Sequence, residues 1–233
     1  MKIWKNRKLK KMTKQMYHMI KGIIFDLDGT LIDSMNVWYN TDRAFLKENG
    51  VDNPPEDISD RVKKLTIDKA AELFIQEFRL DCTVEYIIDR IEEIVSNEYF
   101  YNIPLKSGVI EVLDFLDSLG IPYGVATVTY RNLAETALKR LGIYERMKFL
   151  LTSAEFPQGK KNPDMYQKCA EIMGLPPENV LVVEDSLHCI ETAGKAGFIT
   201  AGVYDNLSAD DCDDIIQISD YYFNELNKLT DIF

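Results

Sequence analysis

From Pro104 onward, short apolar runs rich in β-branched residues alternate with stretches whose apolar positions recur every three or four residues. That alternation is the pattern of a parallel sheet with crossover helices. Val109, Val112, Leu113 and Leu116 keep helical spacing, Gly120 is placed to end that helix, and IPYGVAT follows as a buried strand. A helix over 131–141 ends at Gly142, and KFLLTS reads as the next strand. Asn162 and Pro163 read as an N-cap and a first helical residue, opening a helix that closes at Gly174. NVLVVE then makes a strand, 186–196 a helix and FITAGV another strand. With GIIF at 22–25, the sheet has at least five strands, and the fold class is α/β: a Rossmann-like parallel sheet with helices on both faces.

Between Ser34 and Ile103 the strand signal disappears. The spacing predicts consecutive helices over roughly 34–49, 56–64, 67–79 and 83–101. So long a helical stretch exceeds what a crossover needs, so a small helical-bundle domain inserted after the first strand is expected. The predicted organisation is a basic extension at 1–20 outside the fold, a core of 21–33 with 106–233, and a helical cap domain at 34–105. Two connectors, near Asp33 and near NIPLKSG, make a plausible hinge.

Charge sharpens this division. The net charge is −11, but residues 1–22 hold eight of the 27 basic side chains and no acid, so 19 basic groups face 38 acidic ones in the remainder. A body near −19 is a poor partner for nucleic acid, whose affinity comes largely from neutralised phosphates. No run of about 18 apolar residues marks a membrane span. Cys82, Cys169, Cys189 and Cys212 lie far apart with no CxxC pair, which favours reduced thiols in a cytoplasmic protein over zinc or disulfides. A monomer without nucleic-acid or membrane partners is expected.

In an open parallel sheet, ligands sit beyond the carboxyl ends of the strands. Asp26 and Asp28 follow GIIF, Thr127 ends YGVAT, Lys160 follows the FLL strand, and Glu184 and Asp185 end VLVVED. Four carboxylates gathered at one edge repel unless a cation sits among them. A hard cation, most simply Mg²⁺, is implied; it takes one or two carboxylates and a phosphate oxygen, which makes the missing ligand the substrate. Thr127 and Lys160 supply a hydroxyl donor and a point charge for other phosphate oxygens. Phosphoryl transfer is the reaction class.

At these residues the chain resembles the haloacid dehalogenase superfamily, in the branch with a helical cap of the C1 type, similar to β-phosphoglucomutase and phosphoglycolate phosphatase-like proteins. DLDGT matches the first motif, Thr127 the second, Lys160 in GKKNPD the third and VVEDS the fourth, over about 22–203. The resemblance implies that Asp26 is the nucleophile that forms an aspartyl-phosphate, and that Asp28 is the acid and then the base. It implies that Thr127 and Lys160 bind substrate. The implied metal site is Asp26, the main-chain carbonyl of Asp28, Asp185 and Glu184, the last two directly or through water. The cap would close over the substrate and select the leaving group. Val128 stands where a serine or asparagine is common, and Lys161 and Asn162 stand where Pro-Ala is usual. Lys160 and Lys161 are therefore both open as the phosphate-facing lysine; the spacing to Pro163 and Asp164 favours Lys160.

Other features read more plainly. His188 is expected on a helix surface, and Trp38, Tyr39 and Phe45 in the core of the cap, although their helix can also face the cleft. Arg61, Lys63, Lys64 and Lys69 are the cationic candidates for contacting a second group of the substrate, against a solvated-face alternative. The function expected is a Mg²⁺-dependent phosphatase of small phosphomonoesters, sugar phosphates or similar metabolites. The alternatives are a phosphoglucomutase-like phosphosugar mutase and a non-catalytic phospho-ligand-binding protein. Thr30 after DLDG, where a mutase of this kind has valine, leans to hydrolysis.

Overall fold

A computed structural model of the chain describes residues 20–62, 65, 67–156 and 158–233. The described residues contain a six-stranded, wholly parallel sheet: β1 (Gly22–Phe25), β2 (Tyr123–Thr127), β3 (Leu150–Thr152), β4 (Val180–Glu184), β5 (Ile199–Val203) and β6 (Tyr221–Phe223), in the order β3-β2-β1-β4-β5-β6. The chain winds outward from β1 in one direction through β2 and β3, and in the other through β4, β5 and β6. β1 and β4 are thus neighbours at the point where the winding reverses, where the loops after the strands part and leave a crevice.

Register explains which polar groups meet there. Ile24 pairs with Val182 and Phe25 with Val183, and the amide of Asp26 still donates to the Val183 carbonyl at 3.0 Å. Side chains two apart share a sheet face. Ile24, Val180 and Val182 pack with Met165, Tyr166 and Cys169 of α7 (Asp164–Met173) in one buried cluster. One step further along the same face, the apolar pair gives way to Asp26 and Glu184. The remaining helices beside this sheet are α5 (Val109–Leu119), α6 (Arg131–Arg140), α8 (Leu187–Lys195) and α9 (Cys212–Ile218). Gly120, Gly142 and Gly174 all have positive φ, as helix-ending glycines require.

The chain divides into two compact units, one of residues up to Asp33 with Pro104–Phe233, the other Ser34–Ile103. The second unit holds α1 (Met35–Glu48), α2 (Ile58–Val62), α3 (Ile67–Phe78) and α4 (Val84–Asn97), followed by a wider turn, Glu98–Asn102. Its core is its own: Phe45, Leu46, Ile58, Phe74, Ile87 and Ile91 are buried together, with Phe45 and Phe74 stacked at 6.0 Å between ring centres. Thr83 caps α4 by accepting the Tyr86 amide.

Several sequence expectations need correcting. β6 was not foreseen, because three aromatic-rich residues are too short for a periodic signal. The regular part of α7 starts at Asp164, with Pro163 already at helical angles, and extended Asn162 accepts the Asp164 amide at 3.4 Å as an N-cap does. Trp38 is 43 % exposed and Tyr39 partly so, which leaves Phe45 as the core member of that trio; Trp38 donates to the Tyr99 hydroxyl at 3.0 Å. Most of the expected extension at 1–20 lies outside the described residues, but Ile20 is buried and so belongs with the core. Leu105, expected in the helical segment, falls in the core unit: it bridges Ile32, while Asp33 donates to Pro104 O and Lys106 to Leu31 O.

The loop after β1 is a tight knot. Leu31 and Ile32 both donate to the Leu27 carbonyl, and Gly29, at φ 77°, donates to Ile32 O, a backbone conformation that suits glycine. Thr30 is fully buried in this knot, and its hydroxyl has no hydrogen-bond partner among the described atoms. A buried hydroxyl without a partner costs about 1–3 kcal/mol, whereas an apolar isostere does not. Thr30→Val should therefore leave stability unchanged or raise it by about 1 kcal/mol; a urea midpoint lowered by more than that equivalent would mean that the hydroxyl is satisfied after all.

Candidate active site

Asp26 leaves β1 with its side chain on the α7 face, where Glu184 leaves β4 and Asp185 follows it. All three are buried, at 6 %, 1 % and 4 % exposure, and each offers an oxygen within 4.8 Å of the others. Lys160, on the short turn Gly159–Lys161 before α7, is 3 % exposed and places its ammonium against Asp26 Oδ1 and 2.6 Å from Glu184 Oε1. Lys161 is exposed, so of the two lysines Lys160 is the one brought to the carboxylates. The Tyr166 hydroxyl donates to Glu184 Oε1 at 2.9 Å, and the Ser208 hydroxyl donates to Asp185 Oδ2 at 3.1 Å.

Asp28 stands apart from that trio. Its Oδ2 accepts from Thr129 Oγ1 at 2.6 Å, with Thr127 Oγ1 at 3.4 Å, while Thr127 Oγ1 accepts the Thr129 amide at 3.1 Å. The end of β2 thereby holds the second aspartate of DLDGT. Val128, at the site of a departure from the family pattern, is exposed. Thr129, Tyr166 and Ser208 were missed in the sequence. For Thr129 a signal existed, a second hydroxyl two residues past Thr127.

Burial dominates the titration of these groups. Asp26 lies well above the ordinary carboxylate range because it is desolvated; Lys160 opposes the shift, and Glu184, Asp185 and Asp28 add to it. Asp185 is pushed up to about 7, chiefly by burial and then by Glu184, with the Ser208 hydrogen bond opposing. Lys160 is held above its usual range: burial would lower it, but Asp26 and Glu184 outweigh that. Among the described residues, the ammonium of Lys160 is the cation that touches these carboxylates, and one positive charge cannot balance three negative ones in a low-dielectric pocket. The all-oxygen donor set and its excess negative charge fit a hard divalent cation.

The remaining candidates separate. His188 is exposed on α8, its ring bonded to Ser186 and Cys189, as a surface histidine would be. Arg61 pairs with Glu77 through both oxygens, so its charge is already matched. Lys69 lines an open hollow of about 530 Å³ with Leu65, Glu72, Leu73, Gln76 and Glu77. Lys63 and Lys64 lie outside the described residues. None of the helices in the described residues is long and apolar enough to cross a membrane.

A family model described as haloacid dehalogenase-like hydrolase matches residues 23–203, from β1 through β5. The chain belongs to this family. As a haloacid dehalogenase-like hydrolase it is similar to a phosphorylated carbohydrates phosphatase of Thermotoga maritima, 25 % identical over 178 residues that cover 76 % of this chain and 82 % of that one. It is similar also to hexitol phosphatase A of Escherichia coli, 29 % identical over 185 residues, 79 % of this chain and 81 % of that one. Its fold is shared with a β-phosphoglucomutase candidate from Thermotoga maritima, at TM-score 0.78 and 22 % identity, covering 91 % of this chain and 98 % of that one.

The acid cluster sets a stability profile for the metal-free haloacid dehalogenase-like hydrolase. Asp185 binds its proton more tightly folded than unfolded, so the stability it contributes is fully present below pH 4 and is lost as pH rises through about 7. Asp26 acts in the same direction. Thermal melts in chelator should show the unfolding free energy falling from pH 5 to pH 7.5, by at most about 1.4 kcal/mol per unit for each such group. A rise over that interval would contradict the burial of these acids.

Proposed function

We propose that this hydrolase is a Mg²⁺-dependent phosphatase of small phosphomonoesters, sugar phosphates or similar metabolites, acting as a cytoplasmic monomer through a phosphorylated Asp26. The observation that carries the reading is the convergence of Asp26, Glu184 and Asp185, with Lys160 against them, at the crevice between β1 and β4. The similarity to proteins named as phosphatases supports hydrolysis over return of the phosphoryl group to a sugar.

In this reading a carboxylate oxygen of Asp26 attacks phosphorus, and the bond from phosphorus to the ester oxygen breaks as the new one forms. Asp28 gives its proton to the departing alkoxide, and the Thr129 hydroxyl on Oδ2 holds the carboxyl in place for that transfer. Asp28 then takes a proton from the water that attacks the phosphoryl group, which frees Asp26 and releases inorganic phosphate. Lys160, already in contact with Asp26, and the Thr127 hydroxyl hold phosphoryl oxygens beside the nucleophile. Glu184, Asp185, Asp26 and the main-chain carbonyl of Asp28 are the residues that would hold Mg²⁺. The cation, when bound, offsets negative charge on the phosphoryl oxygens. Residues 34–103 act as the cap domain that selects the leaving group.

The test is a panel of phosphorylated metabolites incubated with Mg²⁺, with inorganic phosphate as the readout. Release above the buffer blank is expected for at least one sugar phosphate, with loss of release in chelator and recovery on adding Mg²⁺. Asp26→Asn should lower turnover by several orders of magnitude while keeping a normal melt. Blank-level release across the panel, or an Asp26→Asn variant as active as the parent, overturns the reading.

A further inference from the structure

Lys106 stands two residues past Pro104, where the chain enters the core unit for the second time. Its side chain is mostly buried, and its ammonium makes three hydrogen bonds: to Gly29 O at 2.6 Å, to Tyr204 O at 3.0 Å and to Asp205 Oδ2 at 2.9 Å. An ammonium has three donors, and these three are committed. The Lys106 amide adds a fourth tie, to Leu31 O at 3.0 Å. Gly29 and Leu31 belong to the knot that carries Asp26 and Asp28, whereas Tyr204 and Asp205 follow β5.

Asp205 passes the connection on. It is 6 % exposed, and its second oxygen accepts the Leu207 amide at 3.0 Å, which caps the helical turn Asn206–Asp211. Ser208 lies in that turn and donates to Asp185 Oδ2 at 3.1 Å. The Ser208 amide also donates to the Asp205 carbonyl at 3.2 Å, so hydrogen bonds and this one short turn connect the β1 loop through Lys106 and Asp205 to Ser208 and Asp185. The members come from 29, 106, 205, 208 and 185, so no local sequence pattern links them.

We infer that Lys106 is a positioning residue for the metal-binding edge, tying the Asp26–Asp28 loop to the Asp205–Ser208 turn so that Asp185 is held at its proper distance from Asp26. It touches neither substrate nor the three converging carboxylates. Loss of its ammonium removes the donor on the Gly29 carbonyl and leaves Asp205 a buried carboxylate without its countercharge. The inference rests on the Mg²⁺ reading above for what the edge binds, but it concerns geometry that exists without the ion.

Outer partners of metal ligands affect affinity or activity by about 10- to 100-fold when removed. The test compares the parent with Lys106→Met and Ser208→Ala by calorimetric titration with Mg²⁺, and then by kcat and KM for the best ester. Both variants should bind Mg²⁺ about tenfold more weakly and lose kcat by a similar factor, with KM for the ester within about twofold of the parent. Ser208→Ala removes one hydroxyl from a partly exposed turn and should melt close to the parent, so it decides the matter if Lys106→Met folds poorly. Parent-like Mg²⁺ affinity in Ser208→Ala, or in a folded Lys106→Met, overturns the inference. A parent protein that binds Mg²⁺ yet releases no phosphate overturns only the phosphatase reading, since the titrations still compare the variants. A parent that binds no Mg²⁺ overturns both.

Discussion

Three acids and one ammonium share a space from which water is largely excluded, and that imbalance of charge governs the rest of the site. Asp26, Glu184 and Asp185 are each less than a tenth exposed, and Lys160 sits against two of them. Left to themselves Asp26 and Asp185 reduce that charge by holding protons, because burial raises both. A fold stable enough to keep them together thereby stores a demand for further positive charge. The buried all-oxygen donor set fits a divalent ion as the source of that charge. The same charges that weaken the empty fold therefore favour the loaded one.

The sheet makes this arrangement with little freedom. Ile24 and Val182 pair within the apolar cluster against α7, and the step from that pair to Asp26 and Glu184 is a step from packed hydrocarbon to facing carboxylates on one continuous face. Shifting the β1–β4 register by one residue would send Asp26 to the opposite face. The packing of Ile24, Val180 and Val182 on α7 is thus what fixes the distance between the acids. Tyr166, from the same helix, closes the arrangement by bonding Glu184. Stability and chemistry meet at one register, and local preference yields to function at its end.

Legibility in the sequence followed how local each signal was. Runs such as GIIF and VLVVE declare strands, and an acid at the end of an apolar run declares an edge; both facts sit within a few residues, and five of the six strands were readable for that reason. Lys160 over Lys161 was decidable only by spacing, whereas the fold separates them by burying one and exposing the other. Tyr166 looks in sequence like any apolar helix position, because its hydroxyl partner is 18 residues away. Ser208 and Lys106 are further still from what they hold. Trp38 misled for the opposite reason: its size suggests a core, yet a hydrogen bond to Tyr99 accounts for it at a partly exposed position.

The helical unit obeys a different constraint. Phe45, Phe74, Ile87 and their neighbours bury one another within 34–103, so this unit owes its packing to its own residues. Side chains outside that cluster, such as Lys69 beside an open hollow, can change without opening a cavity in either core. The acidic edge has no such freedom, since each of its groups answers to a charge on another loop. A chain built this way can keep its acidic edge fixed by electrostatics while the outer side chains of the separately packed unit vary. The four motifs that declare the reaction class all lie on the sheet unit, and none of them lies in 34–103.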